Sequence, residues 1–259
     1  LVQTDLAWQA AAHNRELLTQ LIRPLKGLAD LIVLPEMFTS AFVTGSGALA
    51  EEHPGPTLVW MQQQAQELQA AITGSAAVTE NGQRFNRLYF VTPDGVARYY
   101  DKRHLFRMLD EHKRYGAGQS KLLVEWQGWR ILPLVCYDLR FPELYRSLAA
   151  QGAQLLLVPS AFTYTTGQAH WEPLLRARAI ENLAYVLAPA QGGVHENGRR
   201  TWGHSLVVDP WGQVLACRET DGAGVLVNAL AYYRAMFDPT KADPGLQSLR
   251  ESLKNRISV

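Results

Sequence analysis

Short, continuous apolar runs alternate along this chain with longer stretches in which apolar residues recur at helical spacing. Across 14–28, Leu17, Leu18, Leu21, Ile22 and Leu25 fall on one stripe and predict an amphipathic helix. Residues 31–34 are all apolar, the signature of a short buried strand. The same reading predicts helices over 56–68, 142–151 and 170–181. It predicts strands over 71–78, 84–92, 96–100, 130–136, 155–158, 184–188, 205–208 and 214–217, with Leu1 already inside a strand. Turn residues punctuate the pattern at Asn81-Gly82, Pro93-Asp94-Gly95 and Pro210-Trp211-Gly212. The first two turns fold 71–100 into an antiparallel hairpin or meander. No repeat, low-complexity tract or Pro/Gly/Ser linker interrupts the sequence. The expectation is one α/β domain over 1–259, with sheets inside and helices outside.

Composition narrows the function classes. Of 259 residues, 47% are hydrophobic and 19% charged, which excludes a disordered chain. The net charge of +1 lacks the basic excess of a nucleic-acid binder. Trp126, Trp129, Trp171, Trp202 and Trp211 therefore read as packing residues rather than as a base-stacking platform. The longest charge-free stretch, 147–171, is broken by Gln, Gly, Pro, Ser and Thr, so it cannot supply the roughly 20 apolar residues of a membrane span. No Lys or Arg precedes Arg15, so no secretory signal is expected, and a reducing, cytoplasmic setting is the expectation. The two cysteines, Cys136 and Cys217, form no CxxC pair, which excludes a disulfide-dense scaffold and argues against a cysteine zinc site. His170, His195 and His204 have no metal-ligand spacing either, so no metal is expected.

The chemistry gathers at three strand ends. The run 31–35 stops at Glu36, the strand 96–100 stops at Asp101 and Lys102, and the run 131–135 stops at Cys136. Ligands bind at such sheet rims. A nucleophile on a sharp strand-to-helix turn is held exposed beside backbone N–H groups that can receive an oxyanion. Converging there, a carboxylate, an ammonium and a thiol supply a base, a fixed positive charge and a nucleophile, the parts needed to cleave an amide. Taken singly, each residue has a plainer role: a small core thiol, or a charged side chain at a sheet edge.

Together the segments Leu34-Pro35-Glu36-Met37-Phe38, Tyr100-Asp101-Lys102-Arg103-His104-Leu105-Phe106 and Val135-Cys136-Tyr137-Asp138-Leu139-Arg140-Phe141-Pro142-Glu143 resemble the nitrilase superfamily of carbon–nitrogen hydrolases. That resemblance implies a four-layer αββα sandwich and a Glu–Lys–Cys triad of Glu36, Lys102 and Cys136, with no cofactor. It also implies a second glutamate between the lysine and the cysteine, at Glu111, with Asp110 as its nearest rival. The implied chemistry makes Glu36 the base, Cys136 the nucleophile, and Lys102 with the Tyr137 backbone N–H the oxyanion donors.

The two halves of the chain lean toward different branches. Up to about Pro142 it resembles bacterial ω-amidases, which hydrolyse the terminal amide of α-ketoglutaramate and related keto acids. From about Leu155 it is similar to the deaminated-glutathione amidases, through Pro159-Ser160-Ala161-Phe162, 167–172, 175–182 and 191–205. Both implied substrates are small amides bearing carboxylates. Arg140, Arg199 and Arg200 are the candidate cations to hold that carboxylate, although the latter two also read as ordinary surface arginines. Arg176 and Arg178 read as helix ion-pair partners for Glu172 or Glu181. Competing readings are a nitrile or N-carbamoyl substrate, and a non-catalytic partner-binding member of the fold. The resemblance further implies a homo-oligomer, with a dimer favoured, and the polar segment 236–259 reads as an arm or a loose tail.

Overall fold

Helices α1 (Ala11–Ile22) and α2 (Pro56–Leu68) and strands β1 (Val2–Gln3), β2 (Leu31–Val33), β3 (Glu51–Glu52), β4 (Ala71–Glu80), β5 (Gln83–Val91) and β6 (Ala97–Asp101) build the first half of the chain. The second half contains β7 (Val124–Trp126), β8 (Trp129–Pro133), α3 (Pro142–Ala149), β9 (Leu155–Leu157), α4 (Tyr164–Asn182), β10 (Tyr185–Ala188), β11 (Leu206–Val208), β12 (Val214–Cys217) and β13 (Gly224–Val225). The computed structural model describes residues 1–42, 50–195 and 198–230. Leu1–Leu226 form one compact unit and Val227–Val259 another. Segment 236–259 lies outside the described residues.

Turn chemistry fixes the register of the first sheet. Asn81 and Gly82 both adopt positive φ, 53° and 76°, as a two-residue hairpin turn demands, and Glu80 pairs directly with Gln83. The next loop closes Val91 against Ala97 and sets Arg87 opposite Asp101. Beyond the last paired residues, the Lys102 N–H still donates to the Asn86 carbonyl at 2.9 Å. Strands β2 and β3 run parallel to β4 and pair with its opposite ends, giving five strands in all.

The second sheet orders its six strands β12-β11-β10-β9-β8-β7. Strands β8, β9 and β10 are parallel, and antiparallel strands flank them on both sides. Leu155–Leu157 is buried throughout, as expected of a strand covered on both faces. The ladder continues past the named strands: Leu134 N–H donates to Leu157 O, and Cys136 N–H to Pro159 O, each at 3.0 Å.

Four layers result. Leu18 and Ile22 of α1 and Leu58, Met61 and Leu68 of α2 pack on Ile32, Ile72 and Tyr89 of the first sheet. Leu144 and Leu148 of α3 and Trp171 and Leu175 of α4 pack on Leu132, Leu156 and Val186 of the second. Leu88 and Tyr100 of the first sheet join that second cluster, so the sheets face each other and the helices lie outside. This is the expected αββα sandwich. Among the described residues, no helix is long and apolar enough to cross a membrane.

Several element boundaries differ from expectation, for local reasons. Helix α1 runs over 11–22 rather than 14–28, because Pro24 lacks an N–H and the chain tightens into the 3-10 turn Arg23–Leu25. Helix α4 starts at Tyr164, six residues before the apolar pattern shows it. Gly167 breaks that pattern, yet a side chain there would meet Trp202 Cβ at 2.3 Å, so the glycine lets the helix approach Trp202. A second two-residue hairpin, Gln127 (φ 51°) and Gly128 (φ 79°), joins β7 to β8 and was hidden by the glutamine. Of the tryptophans, expected in the core or at an interface, Trp171 is fully buried and Trp211 is 72% exposed.

Gly74 of β4 leaves the space that Leu34 and Phe38 occupy; a Cβ there would meet Leu34 Cβ at 2.7 Å and Phe38 Cδ1 at 2.9 Å. These two residues bracket Glu36. Gly74→Ala is expected to destabilise the protein by about 1–3 kcal/mol through overpacking, read as a lower denaturation midpoint. An unchanged midpoint would show that the segment yields freely.

Candidate active site

Glu36, Lys102 and Cys136 each stand just past the end of a strand. After β2, Leu34 N–H donates to Thr73 O at 2.7 Å and Phe38 N–H to Ser75 O at 3.0 Å, so the chain stays tied to β4 as it passes Glu36. The Glu36 carbonyl accepts from Gln191 Nε2 at 2.6 Å, which joins this loop to the segment after β10. Met37 and Cys136 both hold positive φ, 43° and 45°, although neither is glycine. Such a conformation costs of order 1–3 kcal/mol and persists only where the surroundings fix it. At Cys136 the ladder bond to Pro159 and the following 3-10 turn, Cys136–Arg140, do so.

The charged groups converge behind the cysteine. Lys102 Nζ donates to Glu36 Oε1 at 2.9 Å and to both carboxylate oxygens of Glu111, at 3.1 and 2.9 Å. All three side chains have zero exposure. Asn86, also fully buried, donates through Nδ2 to Glu36 Oε1 at 2.8 Å and to Glu111 Oε1 at 3.2 Å. Glu111 Oε2 further accepts the Phe106 N–H at 2.6 Å. Asp110, the rival to Glu111, is exposed and pairs with Lys113 at 3.0 Å.

Electrostatics follows from this burial. Burial opposes the Lys102 charge, but the Glu111 and Glu36 carboxylates outweigh it and hold the ammonium well above its ordinary pKa. Burial raises the Glu36 pKa; Lys102 pulls it down, and Glu111 pushes it up again. The Cys136 thiol is driven well above its usual value, first by burial and then by the Glu36 carboxylate, while Lys102 and the Ala161 backbone act in the opposite sense. The buried sulfur therefore holds its proton more tightly than a free thiol does.

Asp138, two residues beyond Cys136 and fully buried, links the strand ends. Its Oδ2 accepts from Tyr100 OH at 2.8 Å and Val135 N–H at 3.1 Å. Its Oδ1 lies 3.0 Å from the His104 N–H and 2.8 Å from His104 Nδ1. His104 in turn stacks on Phe141, with ring centroids 3.6 Å apart. The residues flanking Lys102 are thereby clamped to the turn that carries the sulfur.

A pocket of about 320 Å³, counted out to its mouth, opens onto Cys136. Phe42, Phe106, Tyr137, Arg140, Ala161, Phe162, Thr163 and Thr166 complete its wall. Tyr137 is the second residue of the 3-10 turn, ahead of the turn's own acceptors, where an N–H is available to a ligand. Arg140 stands within 3.1 Å of His170 Nδ1 and 5.7 Å from the Phe162 ring centroid. Arg199 and Arg200 are not in this wall. Arg200 pairs with Asp221 at 2.7 Å and stacks over Tyr164, and both arginines are exposed. Arg176 and Arg178 pair with Glu172 and Glu181, at 3.4 and 2.9 Å. Cys217 is half-buried on β12, and its pKa is raised by burial.

Asn86 and Asp138 are the site residues that strand-end reasoning passes over. Asn86 lies mid-strand with no motif of its own. Counting outward from the 93–95 turn, however, places it opposite Lys102.

A carbon-nitrogen hydrolase family profile matches residues 1–235. The chain is 42% identical over 246 residues to "Omega-amidase YafV" of Escherichia coli K12, spanning 92% of this chain and 93% of that one. It is 39% identical over 209 residues to "Deaminated glutathione amidase" of Synechocystis, spanning 73% and 75%. Its fold superposes on XC1258 from Xanthomonas campestris, a CN-hydrolase superfamily protein with an arsenic adduct in its active site. The TM-score is 0.82, with 45% identity and 86% of each chain covered.

Removing the ammonium alone strands two buried carboxylates. Lys102→Met is expected to cost about 3–5 kcal/mol near neutral pH. The Glu36 pKa, already raised in the folded state, rises further without Lys102. The lost stability should thus return below the unfolded carboxylate pKa and vanish as pH climbs through the folded one. Denaturant titrations at about pH 5 and about pH 8 measure this; a penalty equal at both would refute it.

Proposed function

The chain belongs to the carbon–nitrogen hydrolase family, and we propose that it hydrolyses the terminal amide of a small α-keto acid to the acid and ammonia, as an ω-amidase, through a Cys136 thioester. The observation that carries this reading is the buried Glu36–Lys102–Glu111 cluster set behind a cysteine that opens onto a pocket.

Glu36 takes the thiol proton as Cys136 Sγ bonds to the amide carbon, and the carbonyl oxygen becomes an oxyanion. Lys102 and the Tyr137 N–H stabilise that charge. Glu36 then passes its proton to the amide nitrogen, the C–N bond breaks, ammonia leaves, and a thioester remains. A water molecule gives a proton to Glu36 and attacks the thioester carbon. The C–S bond breaks, and the sulfur recovers its proton from Glu36. Glu111 keeps Lys102 in place through both of its oxygens. In this reading Arg140 is the cation for the substrate carboxylate, its planar fork matching two oxygens. Its place in the pocket wall supports that role over Arg199 and Arg200.

One observation favours a second substrate, deaminated glutathione. Two residues of the pocket wall, Ala161 and Phe162, come from the segment that resembles deaminated-glutathione amidases. We further infer assembly as a homodimer through helices outside the sandwich. Exposed Ile180, Leu183 and Trp211 near the end of α4 support it. Sedimentation of a purely monomeric species would sink this part.

Cys136→Ala is expected to abolish ammonia release from α-ketoglutaramate, and wild-type turnover by that variant would end the assignment. Parallel assays with deaminated glutathione, a simple nitrile and an N-carbamoyl amino acid rank the substrates. Arg140→Leu should raise KM for carboxylate-bearing amides by about 10–100-fold, the worth of hydrogen bonds to a charged group. A neutral amide of similar length should be unaffected, and an equal rise for both would remove Arg140 from carboxylate recognition.

A further inference from the structure

We infer that Asn86 is a positioning residue for the general base: its amide fixes the Glu36 carboxylate so that one oxygen is held and the other is left for the Cys136 proton. The inference rests on the proposed amidase mechanism and deepens it.

Glu36 Oε1 receives two donors, Lys102 Nζ at 2.9 Å and Asn86 Nδ2 at 2.8 Å. Glu36 Oε2 is buried and has no hydrogen-bond partner among the described residues. A carboxylate held by only one donor can swing about its terminal torsion, which is broad for glutamate. A second donor on the same oxygen, arriving from another direction, removes that freedom. The shared Nδ2 also reaches Glu111 Oε1, so one neutral amide spaces the two acids that flank the ammonium.

The amide suits this place by its charge as well as its shape. A lysine or arginine would neutralise the second carboxylate and drag the base pKa down; an aspartate would add a third anion to a cluster already holding two. Asparagine donates hydrogen bonds and contributes no net charge. Its position follows from the sheet: the Asn86 carbonyl accepts the Lys102 N–H at 2.9 Å, so the two are cross-strand neighbours.

A hydrogen bond to the charged form of a carboxylate favours that form, so its loss raises the pKa. The test is the pH dependence of kcat and kcat/KM for Asn86→Ala, with α-ketoglutaramate, in the full-length enzyme. The acid limb of the rate should move to higher pH. At its optimum kcat should fall by at least about tenfold, a part of the roughly 10²–10⁴ that a positioned general base supplies, while KM stays within about twofold. A variant with an unmoved acid limb overturns the inference, whether or not kcat falls, because a merely structural residue would lower the rate without moving the limb. If Asn86→Ala does not fold, Asn86→Asp keeps the shape and adds an anion beside Glu36. Its acid limb must then also move upward, and an unmoved one is equally fatal. Should Cys136→Ala retain wild-type turnover, the amidase mechanism itself fails. If Cys136→Ala is dead and the Asn86 variants keep the wild-type limb, the inference alone fails.

Discussion

One ammonium buried between two carboxylates governs this molecule. Lys102 has no exposure, and neither do Glu36 and Glu111, so none of the three can shed its charge cost into water. Their mutual hydrogen bonds, closed by Asn86 and the Phe106 N–H, make the arrangement tolerable. Those bonds also set geometry. Glu36 comes from the end of β2, Lys102 from the end of β6, and Glu111 from the short 3-10 turn Glu111–Lys113. A single side chain thus holds three separate stretches of chain in register. Burial and then the Glu36 carboxylate raise the pKa of the nearby Cys136 thiol, with Lys102 acting against them.

Around this cluster the backbone is held in conformations that residues other than glycine avoid. Met37 follows the base, Cys136 is the sulfur itself, and both sit at positive φ. The Ser75 side chain accepts the Met37 N–H at 3.0 Å, and the Asp138 carboxylate anchors the turn after Cys136. Asp138 also reaches back to Tyr100 and His104 on either side of Lys102. The sandwich contributes the other constraint, since only facing sheets bring these strand ends to one place.

The strand ends were legible because they break an apolar run abruptly: Glu36 after Leu34-Pro35, and Cys136 after Val135. Glu111 was reached only through resemblance, since no periodicity marks a glutamate in an irregular loop. Asn86 was within reach of simple counting from the Pro93-Asp94-Gly95 turn, but nothing in its own neighbourhood draws attention to it. Arg140 and Arg200 looked equivalent in one dimension. In space they differ: Arg140 lines the pocket at Cys136, whereas Arg200 pairs with Asp221, 21 residues away in sequence. Helix α4 extends six residues ahead of its expected start because Gly167 interrupts the pattern there, while its packing on Trp202 is a tertiary fact.

Glu36 and Lys102 follow strands of the sheet made by residues before 102, and Cys136 follows a strand of the sheet made from 124 onward. During synthesis the ribosome delivers the acid–ammonium half first and the thiol afterwards. The arrangement of Glu36, Lys102 and Cys136 therefore exists only where the two sheets have packed face to face.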